Sequence, residues 1–160
     1  MLRVATPKDL KFIYKLFIQE ARHRHFNYDI YLSFLKRFGF KCELNSIIRH
    51  EKRISNNERA RALIFTRENK PIGFTIISVN SPDKCIELWL VAIDEKYRGK
   101  GFGKEMTGQV INVLRNEGLD IYARCYNHSE SMIEILKNYG FNIDSRFAHP
   151  EMKLLMFISR

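Results

Sequence analysis

The stretch from Cys85 to Tyr126 constrains this chain more than any other. It opens with CIELWLVAI, nine residues that are apolar apart from a single carboxylate, Glu87. It continues through DEKYRGKGFG, which sets Gly99, Gly101 and Gly103 at alternate positions. A run apolar on both faces is the signature of a central strand. From Phe102 to Arg115 the pattern turns helical, with Met106, Val110, Val113 and Leu114 expected as the buried stripe, and Leu119 to Tyr126 returns to strand. Strand, helix and strand in this order close as a parallel, right-handed crossover.

The flanking segments complete a sheet. Ala60 to Thr66 and Ile72 to Val79 are rich in β-branched and apolar residues, with RENKP as the turn between them and NSPDK as the turn into the central strand. Turns this short make the three strands antiparallel. Upstream, Leu2 to Ala5 fits a strand, Thr6 and Pro7 fit an N-cap and first helical residue, and Leu10, Ile13, Tyr14 and Phe17 follow at helical spacing. A second helix is expected from about Asp29, with Tyr31, Phe34, Leu35 and Phe38 on one face and Gly39 ending it. Leu44, Ile47 and Ile48 begin a short helix that Glu51 breaks, leaving a mobile polar loop up to residue 58. After the crossover, Ser131 to Tyr139 reads as a helix with Ser131 and Glu134 spaced as a capping box, followed by strands near 141–147 and 152–158. The expected fold class is α/β: one domain over residues 1–160, built on a mixed, mostly antiparallel sheet with helices on both faces.

Composition narrows the setting. At 160 residues and 45% hydrophobic, the chain can bury a core without disulfide or metal staples. Cys42, Cys85 and Cys125 lie far apart with no CxxC pair, which suggests a reduced, cytoplasmic setting and neither a disulfide framework nor a zinc site. MLRVATPKDL lacks a signal-like apolar segment, and no apolar run is long enough to span a bilayer, so a soluble protein without a membrane partner is expected. Residues 1–70 hold sixteen Lys and Arg against seven Asp and Glu, whereas residues 71–160 hold eleven of each. The whole excess of nine positive charges therefore sits in the first part, either as a surface that attracts anions or as a solvated basic face.

Alternate glycines let main-chain amides approach a ligand closely, and a helix start adds unpartnered amides and the positive end of its dipole. Phosphate is the natural occupant. A P-loop needs Ser or Thr after its Gly-Lys, but Gly103-Lys104 is followed by Glu105, and Arg98 stands where the earlier glycine belongs. A dinucleotide fingerprint fits poorly, because Met106 occupies its third glycine position. Arg98-Gly99-Lys100-Gly101-Phe102-Gly103 instead resembles the Arg/Gln-x-x-Gly-x-Gly/Ala signature of the GNAT superfamily of acyl-CoA-dependent N-acetyltransferases. The context agrees: the signature follows an apolar strand, opens a helix, and leads through a strand and short helix to Tyr139-Gly140-Phe141, similar to the family's closing GF. The resemblance is specific over residues 84–142, the acyl-CoA core, and loose elsewhere.

This resemblance implies acetyl-CoA as cosubstrate, with no metal, and an amine-bearing acceptor. It puts the coenzyme's pyrophosphate on the main chain from Arg98 to Gly103, with Arg98 and Lys100 beside it and Lys104 next along the helix. It puts a bulge at Val91 and Ala92, before Ile93, leaving an amide for the thioester carbonyl, and a general base at Glu87. Burial among apolar neighbours raises a carboxylate's pKa toward a useful range, whereas a strand-end carboxylate facing water or a lysine has no such role. The family's usual thiolate acid, a tyrosine four residues before the glycine of GF, is Leu136 here, so Tyr126 or Tyr139 must serve, or the thiolate leaves unaided. Ser129 holds the place of the family's helix-start asparagine. His23 and His25 lack a third metal ligand, and Cys125 reads as a buried thiol.

In the family, the segment corresponding to residues 22–59 shapes the acceptor side. Here it contains HRH and RHEKR with few acids, which disfavours polyamines and lysine-rich tails and favours an anionic acceptor, either a small molecule or part of a macromolecule. Two further readings stay open: a sensor or partner-binding module that binds acyl-CoA without turnover, and an RNA-binding module, although no RNP-like aromatic pair is present. Either a monomer or a homodimer is compatible with the sequence.

Overall fold

A computed structural model describes residues 1–80 and 85–158. The NSPDK turn falls at 81–84, outside the described residues except for Asn80. Seven strands form one sheet: β1 (Leu2–Val4), β2 (Ala60–Arg67), β3 (Lys70–Asn80), β4 (Cys85–Ile93), β5 (Asp120–Tyr126), β6 (Asn142–Ile143) and β7 (Met152–Phe157). Their spatial order is β1-β2-β3-β4-β5-β7-β6, and every pairing is antiparallel except β4 with β5. The crossover read from Cys85 to Tyr126 is present, and its helix is α4 (Phe102–Asn116).

Helices cover both faces. On one face α1 (Leu10–Arg22) and α3 (Phe34–His50) set Ile13, Phe17, Leu44 and Ile47 against Ile64, Phe74 and Leu90. On the other, α4 and α5 (Glu130–Asn138) set Val110, Ile111, Leu114 and Leu136 against Ile86, Ile121 and Leu155. A short α2 (Tyr28–Leu32) links the first two helices, with the Asn27 side chain accepting from the Asp29 amide at its start.

Several expectations need correction, among them the strand near 141–147, which shortens to Asn142–Ile143. Gly39 does not end a helix: α3 begins at Ser33, whose hydroxyl accepts from the Lys36 amide, and runs through Gly39 to Glu51 in the left-handed region at φ 51°. Phe40, Leu44 and Ile47 anchor this helix in the core, and that burial outweighs the cost of one exposed glycine. Phe34, Leu35 and Phe38 consequently point outward, not into the core. In α4, Ile111 is buried and Val113 is exposed, and α5 starts one residue after Ser129, leaving Ser131 inside the helix rather than at its cap.

The polar segment after α3 is pinned rather than loose. The buried Glu43 carboxylate accepts from the Ile54 amide at 2.6 Å, the Ser55 amide at 3.2 Å, the Ser55 hydroxyl at 2.7 Å and Arg53 Nε at 3.2 Å. Four donors satisfy the lone pairs of a carboxylate taken out of water. Glu51 and Arg61 close the segment's base with a two-bonded ion pair.

Candidate active site

β4 carries the decisive irregularity. Its register against β3 runs Leu90 to Ile76 and then Leu88 to Ile77, so Trp89 is an extra residue, a β-bulge. The expected bulge position is therefore corrected: Val91 and Ala92 pair regularly with Thr75 and Phe74, and the bulge lies at Trp89. An inserted residue reverses the alternation beyond it. Ile86 and Leu88 pack on the α4/α5 face, whereas Leu90 and Ala92 pack on the α1/α3 face. Glu87, between Ile86 and Leu88, thus points to the α1/α3 side.

The parallel ladder between β4 and β5 ends where the bulge begins. Its pairs are Cys85 with Asp120, Ile86 with Ile121 and Glu87 with Tyr122. Beyond them the strands part, and a cleft of about 820 Å³ occupies the gap, within the range of small-molecule sites. Its walls are β4 from Glu87 to Ile93, β5 from Ala123 to Tyr126 and the glycine loop, with Phe17, His25, Phe26 and Phe40 also lining it.

The glycine loop is shaped for an anion. Gly99 and Gly101 adopt φ of 73° and 79°, a region that penalises any Cβ, and Gly101 is the N-cap of α4. Gly103 is helical, and an added Cβ would meet Ile93 and Ile135 at an ordinary 3.8 Å. Two of the three glycines are thus demanded by the chain's own turn. The first α4 hydrogen bond runs from the Glu105 amide to the Gly101 carbonyl at 3.0 Å, so the amides before it have no intrahelical acceptor. Arg98 does not plug them. Its Nε donates to the Ile93 carbonyl at 3.0 Å and its terminal nitrogen pairs with the buried Glu20 of α1, tying the loop to β4 and α1.

All the sequence-predicted coenzyme positions line the cleft except Lys100, whose ammonium lies over the Tyr97 ring. Val91, Ala92, Ile93, Arg98, Gly99, Gly101, Phe102, Gly103, Lys104 and Ser129 are brought together, as are Glu87 and Tyr126. Glu87 is 4% exposed and is not surrounded by apolar groups alone: Arg124 Nε donates to it at 2.8 Å, and the Tyr122 hydroxyl lies at 3.4 Å. Burial first and Glu87 second push the Tyr122 hydroxyl up to about 12. Tyr126 is raised too, chiefly by burial, so its hydroxyl stays protonated as a donor. Tyr139 is otherwise engaged, donating to the Lys104 carbonyl at 3.2 Å and filling the space beside Gly108. Leu136 is fully buried in the α5 core. Burial pushes the Cys125 thiol up to about 12, which makes it a poor nucleophile.

Besides Arg124, four further residues of the site escaped sequence reasoning. Trp89 lines the cleft with the Arg53 guanidinium stacked 3.8 Å from its ring centroid, so the Glu43-pinned loop buttresses the bulge. His25 and His128 face each other at 5.3 Å, His128 stacks on Tyr126, and His25 Nδ1 lies 3.4 Å from Ser129 Oγ. Burial lowers the His25 pKa. Thr107 of α4 lines the cleft, and its hydroxyl is buried without a hydrogen-bond partner. An unpartnered hydroxyl on a residue that borders a cavity is a candidate partner for a polar ligand group.

A mixed sheet split between two parallel strands, with a glycine turn and helix start beside the split, is the arrangement that the glycine signature led us to expect. The family profile described as Acetyltransferase (GNAT) family matches residues 13–141, and the chain belongs to that family. No curated protein matches the sequence. Among solved structures, the ribosomal-protein-alanine N-acetyltransferase from Brucella melitensis aligns with a TM-score of 0.75 at 14% identity, over 99% of each chain. Spermidine N-acetyltransferase from Vibrio cholerae, in complex with CoA and spermine, aligns at 0.73 and 18% identity, over 99% of this chain and 95% of that one. The yncA protein of Salmonella typhimurium, with its cofactor acetyl-CoA, aligns at 0.73 and 13% identity, over 100% and 94%.

Proposed function

We propose that the protein is an N-acetyltransferase that moves an acetyl group from acetyl-CoA to a primary amine by direct attack. The observation that carries this reading is the parting of β4 and β5 just beyond Glu87, which leaves a cleft lined by the glycine loop, with its unpartnered helix-start amides, and by a buried carboxylate. The residues present suit the coenzyme: the amides around Gly99 to Gly103 suit a diphosphate, and the bare Thr107 hydroxyl suits a polar group of its arm. Bound there, acetyl-CoA supplies an activated thioester.

The roles follow from position. Glu87, oriented by Arg124, takes a proton from the acceptor ammonium; the amine nitrogen bonds to the carbonyl carbon, and the carbon–sulfur bond breaks. The bulge at Trp89 interrupts the ladder and offers a main-chain amide to the developing oxyanion. Tyr126 donates a hydrogen bond to the leaving sulfur. Because its hydroxyl is raised above an ordinary phenol, proton transfer from it to the thiolate is uphill and it assists only as a hydrogen-bond donor; the second proton shed by the attacking nitrogen ends on the leaving sulfur, giving free CoA thiol and a neutral amide.

The acceptor in this reading is an amine carried by an anionic small molecule or macromolecule, and the protein works in the cytoplasm. Support comes from the chain's net charge of +9 rather than from the cleft, where Arg98 and Arg124 are paired with Glu20 and Glu87. A second reading, an acyl-CoA sensor without turnover, is favoured by that same Arg124–Glu87 pair and by Leu136. Free-CoA release in the presence of acidic peptides, spermine and lysine-rich peptides separates the readings. The enzyme releases CoA fastest with acidic acceptors, and Glu87→Gln cuts the rate about a hundredfold while acetyl-CoA still binds. Binding without release by any acceptor supports the sensor, and faster acetylation of spermine overturns the charge argument.

A further inference from the structure

Helix α3 is apolar on two faces. Its inner face is core, but Phe34, Leu35 and Phe38 on the outer face are 72%, 79% and 61% exposed. Elsewhere among the described residues, large exposed apolar side chains such as Val113 and Ile143 lie singly on other elements, as is ordinary on a surface. Here three fall within five residues, and Phe38 continues into a groove of about 500 Å³ between α3, α1 and the pinned segment after α3. Leu10, Cys42 and Ile54 give it an apolar floor, and Lys41 and His50 stand among its walls. From Phe38 to His50 the groove follows about 18 Å of helix, the length of three turns of a partner helix.

Charge selects the occupant. Within α3 the basic residues are Lys36, Arg37, Lys41 and Arg49, and the helix's one acid, Glu43, is buried and committed to Arg53, Ile54 and Ser55. A second copy laid on this face by two-fold symmetry would bring like charges together. A groove also suits a ridge better than it suits a flat lipid surface. We infer that the outer face of α3 and its groove form a docking site for an acidic amphipathic helix of a protein partner: apolar anchors seat at Phe34, Leu35, Phe38 and Ile54, and flanking carboxylates meet Arg37, Lys41 and Arg49. The site lies on the opposite face of α3 from Phe40, which lines the cleft, so docking and acetyl-CoA binding are compatible. The inference stands independently of acetyl transfer.

The test uses the full chain and two fluorescent helical peptides of about five turns. Both carry leucine at one helical face, with glutamate on the flanks of one and lysine on the flanks of the other. The glutamate peptide binds in low salt, and binding weakens at about 0.5 M salt, where screening leaves only the apolar contacts. Leu35→Ala combined with Phe38→Ala weakens it about tenfold or more, and Lys41→Glu weakens it several-fold, with unchanged circular dichroism showing that the variants fold. Equal affinity for both peptides, or none for either, overturns the inference. So does a dimer in light scattering that the paired alanine substitutions dissolve, or binding to phosphatidylserine vesicles that exceeds binding to the glutamate peptide.

Discussion

Thr107 shows how one side chain can report on a ligand. Thr107 is 2% exposed and borders the cleft beside the start of α4, and its hydroxyl has no partner in the protein. Leaving such a group unpaired costs on the order of 1–3 kcal/mol, a cost that a bound polar group would remove. Thr107→Val should therefore raise the melting temperature of the free protein while shrinking the shift that acetyl-CoA produces, both read in one thermal series. Loss of stability in the free protein would mean that the hydroxyl is already satisfied. Other residues mark the limit of sequence reading. Glu87 stood out as the lone charge in CIELWLVAI, but its pairing with Arg124 joins residues 37 apart across two strands, and local pattern carries no trace of it. Arg98 was expected beside the pyrophosphate; its turn back to Ile93 and Glu20 depends on where α1 packs.

At the scale of elements, sequence and structure agree where periodicity is strong and disagree where one residue has two meanings. The β2–β3 hairpin and the parallel crossover were legible, and so was a helical start at Thr6 and Pro7, although residues 7–9 form a 3-10 turn and α1 proper begins at Leu10. Gly39 was not, because glycine ends helices when left-handed and merely weakens them when helical; only the anchors at Phe40, Leu44 and Ile47 decide which. The structure makes a clean prediction. Gly39 is exposed within α3 and an added Cβ meets nothing within 4 Å, so Gly39→Ala should stabilise by roughly 0.5–1 kcal/mol in urea unfolding. A helix that ended there in the left-handed region would be destabilised instead. The bulge at Trp89 was invisible for a related reason: a strand apolar on both faces has no alternation whose reversal could be seen. The start of α1 offers a pH test. Two bonds from Arg3, at 2.7 and 2.8 Å, with help from Thr6, hold the Asp9 carboxyl at about 2, below its ordinary 3.8. A carboxyl depressed by folding stabilises fully above about pH 4, and that contribution, on the order of 2 kcal/mol, drains away as pH falls toward 2. The stability gap between the protein and Arg3→Ala should narrow over that window; a gap constant from pH 7 to pH 2 would contradict the pairing.

At the scale of the whole molecule, function follows from how the sheet is divided. The bulge and the end of the parallel ladder coincide within two residues, at Glu87 to Trp89, so one local irregularity opens the cleft and turns Glu87 toward α1 and α3. The glycine turn lines the same cleft. Charge was legible in amount but not in direction: none of the sixteen Lys and Arg of the first seventy residues lines the cleft, and four of them, Lys36, Arg37, Lys41 and Arg49, stand on α3. The central claim is that the amides around Gly99 to Gly103 hold the diphosphate of acetyl-CoA, and thermal denaturation with acetyl-CoA beside S-acetyl-pantetheine, which lacks the diphosphate, tests it most directly. At about a hundred times its dissociation constant, acetyl-CoA should add roughly 2.7 kcal/mol and raise the melting temperature by several degrees, and S-acetyl-pantetheine at the same concentration should leave it nearly unchanged. Equal shifts from the two compounds, or none from acetyl-CoA, would contradict the account.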